Sequence, residues 1–114
     1  MELTTEQRGS VAEAEIVAAV ARLGVGVAKP LTNAERYDLI FDLRTKLLRV
    51  QCKSASRNGD VVVVRCRRSR RTAYGQIHRG YSPDEVDAFA VYCQDIDRCF
   101  LLPIDLCSKR TQLP

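Results

Sequence analysis

The stretch YDLIFDLRTKLLRVQCK, Tyr37 to Lys53, decides how this chain is read. Tyr37, Leu39, Phe41 and Leu43 alternate with Asp38, Ile40 and Asp42, and Leu48, Val50 and Cys52 alternate with Leu47, Arg49, Gln51 and Lys53. A period of two is the signature of strands with one face packed and one face wetter. Only Arg44, Thr45 and Lys46 remain to turn, so the two runs predict an antiparallel hairpin. If its loop takes four residues, Leu43 to Lys46, Asp42 opposes Leu47 and Asp38 opposes Gln51; a three-residue loop would set Asp38 across from Cys52 instead. Only the first register brings a carboxylate, an amide oxygen and an ammonium within one side-chain length. Gln51 and Lys53, two apart, leave the same face in either case.

Before this hairpin, Ala12, Ile16, Val20 and Leu23 recur at helical spacing and predict a helix from Gln7 to Leu23, ended by Gly24 and Gly26. Pro30, Thr32 and Asn33 mark a loop. After the hairpin, Asn58-Gly59-Asp60 is a turn signal, and Val61 to Cys66 reads as a third strand. Arg67 to Tyr81, basic and aromatic with Gly75 and Gly80, reads as a long loop. Ser82-Pro83-Asp84-Glu85 carries a helix start, with a serine cap, proline at the first position and glutamate three after the cap. That helix must be short, because Ala88 to Cys93 is strand-like again. Asp95-Ile96-Asp97 turns into a fifth strand, Cys99 to Leu102, and the tail from Ser108 looks frayed. The fold expected is α/β, a helix, three strands, a short helix and two strands around one mixed five-stranded sheet.

The 114 residues suit one domain with one core. The longest apolar run, Ile16 to Ala21, is too short to cross a bilayer, and Met1 to Glu6 lacks the basic-then-apolar pattern of a secretory signal, so no membrane role and a cytosolic location are expected. The formal net charge is only +4, yet five arginines crowd between Arg65 and Arg71. Clustered positive charge on a near-neutral body is a footprint for phosphate, although a solvated loop would carry it as well. The cysteines, Cys52, Cys66, Cys93, Cys99 and Cys107, lack close paired spacing, and His78 is the lone histidine, so no zinc set is visible and the thiols read as reduced and structural.

An acid, an amide and a lysine brought together suit phosphodiester cleavage. A hard divalent cation takes oxygen ligands, polarises phosphate and lowers the pKa of bound water, and a nearby lysine positions that water or stabilises charge on phosphorus. A surface strand with scattered polar residues is the plainer account of the same letters. Helical geometry separates the two acids of the first helix. Glu13 projects beside Ile16, Val17 and Val20, the sheet-packing edge, whereas Glu15 projects with Ala19 and Arg22.

At "RGSVAEAEIVAAVARLG" from Arg8, "YDLIFDL", "LRVQCKSA" and "DAFAVYCQDIDRCFLLPI" the chain resembles the PD-(D/E)XK nuclease superfamily, in its intron-associated homing-endonuclease branch with Gln-x-Lys. The matching stretches run in order over most of the chain. The resemblance implies a restriction-endonuclease-like core and a Mg²⁺-dependent DNA endonuclease, with Mn²⁺ as a substitute. It implies Asp38 as main metal ligand, Gln51 as an oxygen ligand, the backbone carbonyl of Cys52 as a further one, Lys53 as catalytic lysine, and Glu13 reaching the metal or its waters. Two departures stand out: Tyr37 replaces the family's proline, and Gln51 replaces an acid, which removes a negative charge from the metal site. DNA contacts then fall to Arg65, Arg67, Arg68, Arg70, Arg71, Tyr74, His78, Arg79 and Tyr81, with His78 more often incidental than a general base. One site per chain calls for a homodimer or homotetramer to cut both strands, and Cys99 to Leu102 could supply the interface. A resolvase for branched DNA, or a DNA-binding protein that has lost the chemistry, would use the same fold.

Overall fold

A computed structural model describes residues 2–65, 67–72, 75–80, 83–106 and 110–113, with side chains over 2–64 and 83–105. The one α-helix among the described residues, α1, runs Thr5–Arg22. It starts where the sequence supplies a cap: the Thr4 hydroxyl accepts from the Gln7 N–H at 3.1 Å, and the Gln7 side-chain oxygen accepts from the Thr4 N–H at 2.9 Å. It stops at Leu23, and Gly24 takes φ 80°, a conformation open to glycine without penalty.

Strand β1 (Gly26–Ala28) pairs antiparallel with β2 (Leu39–Asp42), which pairs antiparallel with β3 (Leu47–Asn58). The β2–β3 loop has four residues: Asp42 is registered with Leu47, the Leu43 N–H donates to the Lys46 carbonyl, and Arg44 takes φ 72°. A tight turn at Gly59, φ 64°, folds β3 back onto β4 (Val61–Arg65). Next come β5 (Arg67–Thr72) and β6 (Gly75–Gly80), then β7 (Ala88–Cys93), β8 (Arg98–Pro103), a 3₁₀ turn at Ile104–Leu106 and β9 (Arg110–Leu113).

β7 is the pivot of the mixed sheet: it lies parallel to β3, Val50 against Ala88 through Ala55 against Cys93, and antiparallel to β8. All six of its residues are buried, as a strand covered on both faces requires. On the α1 side, Ala12 and Ile16 meet Leu39, Phe41, Val50, Ala90 and Tyr92; on the far side Val62, Val64, Phe89, Val91, Cys93 and Leu102 form a second cluster. Each large apolar side chain so covered contributes roughly 1.5–3 kcal/mol.

The α/β mixed sheet is the fold expected, with the five expected strands as β2, β3, β4, β7 and β8, but three segments differ from the reading of the sequence. Within the stretch expected as a loop, Arg67–Thr72 and Gly75–Gly80 are strands, for β5 and β6 form an antiparallel ribbon in register from Arg67–Gly80 to Thr72–Gly75. The helix expected at Ser82 is a turn over Pro83, Asp84 and Glu85. Arg49 is the reason: its guanidinium takes the carbonyls of Asp84 (2.6 Å) and Pro83 (2.9 Å), and the Asp87 N–H donates to the Arg49 carbonyl. Helix acceptors and donor are thus spent on β3. The tail is not frayed throughout: β9 pairs antiparallel with β4, and with β1 it brings the main sheet to seven strands.

Candidate active site

β2 leaves β3 at Val50, and β4 joins it only at Ser56, so among the described residues β3 has a strand partner from Gln51 to Ala55, β7, on one edge alone. Asp38 closes part of the open edge. Its own N–H donates to the Val50 carbonyl at 2.8 Å, although Leu39 is the residue registered with Val50. The ladder therefore gains an extra residue here and does not continue to an Asp38–Gln51 pair. The Asp38 carboxylate instead accepts the Cys52 N–H at 2.8 Å, in the plane of the sheet.

The two faces of the sheet meet at this edge. Val50 and Cys52 lie on the α1 side, and by alternation Gln51 and Lys53 lie on the other, where Phe89 sits opposite Gln51 in register. The Lys53 ammonium is 6.0 Å from the Phe89 ring centre. Glu13 comes from α1. Burial pushes the Asp38 carboxyl above the usual carboxylate range, the Cys52 N–H opposes this, the Glu13 charge adds to it, and Lys53 and Lys29 oppose it. Asp38, Glu13 and Lys53 thus share one electrostatic neighbourhood.

Lys29, just past β1, escaped the reading of the sequence. Its ammonium bonds a Glu13 carboxylate oxygen at 2.7 Å, and Glu13 holds it above its ordinary range. A strand of three residues is too short to show alternation, so no pattern flagged it. Glu15, in contrast, bears on Tyr92 and Cys99, on another edge of the helix from Asp38.

Two cavities flank the open edge. One, of about 240 Å³, is lined by Glu13, Lys29, Glu35, Tyr37 and Asp38 among others. The other, of about 630 Å³, lies between the start of α1 and β3, and its charged lining residues are Arg8 and Lys53.

The donor set fits a hard cation held partly by substrate. Asp38, Glu13, the Gln51 amide and the Cys52 carbonyl offer oxygens, and the half-buried Asp38 carboxylate accepts one backbone N–H while the pull of Lys53 and Lys29 only partly offsets its burial. Among the described residues no three of His, Cys, Asp and Glu cluster to hold a metal, so the protein offers no complete cage of such ligands there. That matches Gln51 standing where an acid would. Cys52, Cys93 and Cys99 are free thiols, and burial pushes the Cys52 thiol up to about 12, which keeps it protonated and out of nucleophilic chemistry. Cys99 is exposed rather than packed as a small hydrophobe. Cys66 and Cys107 lie outside the described residues.

Of the expected DNA contacts, Arg65 ends β4, and Arg67, Arg68, Arg70, Arg71, His78 and Arg79 lie on the β5–β6 ribbon. The register puts Arg68, Arg70 and Arg79 on one face and Arg67, Arg71 and His78 on the other. Tyr74 and Tyr81 lie outside the described residues. No described helix is long and apolar enough to cross a membrane.

No curated protein matches the chain. The solved structure of a bacterial homing endonuclease, I-Ssp6803I, is similar to it at 27% identity with a TM-score of 0.85, covering 98% of this chain and 79% of that one. A family model for PD-(D/E)XK endonuclease matches residues 3–113, almost from end to end. With the acid-and-lysine edge of β3 inside that match, the chain belongs to the PD-(D/E)XK endonuclease family.

Proposed function

We propose that this chain is a divalent-metal-dependent DNA endonuclease that cuts duplex DNA as a homo-oligomer. The observation that carries the reading is the open edge of β3, where Asp38, Glu13, Lys53 and the backbone of Cys52 converge. Asp38, the Gln51 amide oxygen, the Cys52 carbonyl and Glu13 would hold Mg²⁺, or Mn²⁺ in its place. Such an ion, when bound, polarises the phosphate and acidifies a bound water. Lys53 orients the attacking water and offsets charge that grows on the phosphoryl oxygens. Hydrolysis forms one P–O bond to water and breaks one to the leaving sugar, and the sugar oxygen takes up a proton. Gln51 supplies an oxygen without a charge, so the site depends on the DNA phosphate to complete the cation's neutralisation.

The β5–β6 ribbon supports the choice of duplex DNA. A two-stranded antiparallel ribbon is an element that the major groove admits, and this one carries Arg67, Arg68, Arg70, Arg71 and Arg79. The oligomer is supported by β8, which among the described residues pairs with β7 alone and leaves Leu101 half exposed (50%) beside an apolar cavity of about 300 Å³ between α1 and β8.

Plasmid nicking tests the function. Wild-type protein with Mg²⁺ or Mn²⁺ converts supercoiled DNA to nicked and linear forms, and Lys53→Ala and Asp38→Ala lose this by on the order of 10²–10⁴-fold. Absence of metal-dependent cutting by folded wild type over many sequences would sink the proposal in favour of a DNA-binding role. Preference for a four-way junction over linear duplex would reassign the substrate.

A further inference from the structure

Helix α1 contains a glycine that the folded chain does not explain. Gly9 stands in the second turn of an 18-residue helix, where glycine is the poorest former after proline. Glycine is forced into helices by close packing or by positive φ. Neither applies: a Cβ built on Gly9 meets nothing within 4 Å, and Gly9 is not among the residues with positive φ. The start of the helix is already served by the Thr4–Gln7 cap, so its first donors are not the issue.

The place of Gly9 explains it. One turn on, Ala12 is buried against the sheet (1% exposed), but at Gly9 the helix has run clear of β3 and a wedge opens beneath it. That wedge is the 630 Å³ cavity, whose floor is β3 from Cys52 to Ser56 and whose charged lining residues are Arg8 and Lys53, with no acid. Thr5, Ser54 and Ser56 add hydroxyls. The cavity is basic and continuous with the proposed catalytic lysine.

We infer that the sugar–phosphate backbone of the strand being cut passes through this wedge, and that Gly9 is a close-approach residue whose missing side chain admits it. The inference rests on the nuclease reading and adds to it the path of the strand on one side of Lys53. Arg8 meets phosphate there, and the helix surface at Gly9 lies against the sugars. The glycine thus lowers the stability of the free protein and serves only the bound state.

This predicts opposite signs for stability and binding. Full-length Gly9→Ala and Gly9→Leu are compared with wild type by thermal melting and by fluorescence anisotropy with a fluorescein-labelled non-specific DNA duplex, in chelator and without divalent metal. Gly9→Ala melts about 3–6 °C higher and binds DNA a few-fold more weakly. Gly9→Leu, whose side chain enters open space, stays folded and binds about tenfold more weakly or worse. Equal binding by wild type and Gly9→Leu overturns the inference while cleavage by wild type keeps the nuclease reading intact. A fall in melting temperature for Gly9→Ala overturns it too, by giving the glycine a structural purpose. Wild type that binds no duplex at all overturns the inference, while plasmid nicking with Mg²⁺ or Mn²⁺ decides the nuclease reading separately.

Discussion

Two stretches of the same strand, four residues and five residues long, show what separates scaffold from site. From Leu47 to Val50, β3 is satisfied on both sides: β2 pairs along one edge, while Asp87 takes the Arg49 N–H and guanidinium and returns its own N–H to the Arg49 carbonyl. From Gln51 to Ala55 one edge lacks a strand among the described residues, and the Asp38 carboxylate covers one N–H of it. The two aspartates diverge accordingly. The Arg49 guanidinium holds Asp87 below the usual carboxylate range, whereas burial holds Asp38 above it. Where polar groups are mutually satisfied the strand is fixed; where they are left wanting a partner, a cation and a phosphate have somewhere to go.

Asparagine at each aspartate is the most direct way to break this contrast. Asp38→Asn should lower metal-dependent cleavage by at least about a hundredfold, since even outer-shell partners of metal ligands matter 10–100-fold. Its urea midpoint should not fall below that of wild type, because the buried charge is removed. A clear loss of stability would mean that Asp38 is structural. Asp87→Asn and Arg49→Ala should do the reverse, each lowering unfolding free energy by about 1–2 kcal/mol after allowance for partial exposure. Cleavage per folded molecule should be preserved in both.

The smallest effect is in the pH dependence of stability. Asp87, depressed in the folded chain, stabilises above its unfolded value near 3.8, and that contribution is lost as pH falls through the lower folded value. Asp38 has the opposite sign. Its ionised form weakens the fold at neutral pH, and the penalty fades as pH falls through its raised folded value. Urea midpoints measured from neutral to acid pH should show the Asp38→Asn advantage shrinking first, with the Asp87→Asn deficit persisting to lower pH. Parallel curves for the two variants would refute the contrast.

Much of the scaffold was legible because half-buried strands must alternate. Tyr37 to Lys53 gave the β2–β3 hairpin, Ala88 to Cys93 gave β7 at its full length, and Ile16 and Val20 gave the packed face of α1. The ribbon was not legible, since among the described residues β5 and β6 pair only with each other, and their letters carry no apolar alternation. Ser82 to Glu85 carried a sound helix signal, and a distant guanidinium on Arg49 overrode it. Asp38, Gln51 and Lys53 were singled out from spacing. The way Asp38 reaches Cys52 was not, because an extra residue in a ladder leaves no mark in the letters. Lys29 depended on a three-residue strand that no period could reveal.

The ribbon's detachment from the seven-stranded sheet has an evolutionary reach. Replacing arginines there disturbs no described ladder of the main sheet, so if the ribbon reads DNA as proposed, target preference would be free to drift, or to be redirected by grafting, while the proposed catalytic edge of β3 stays as it is.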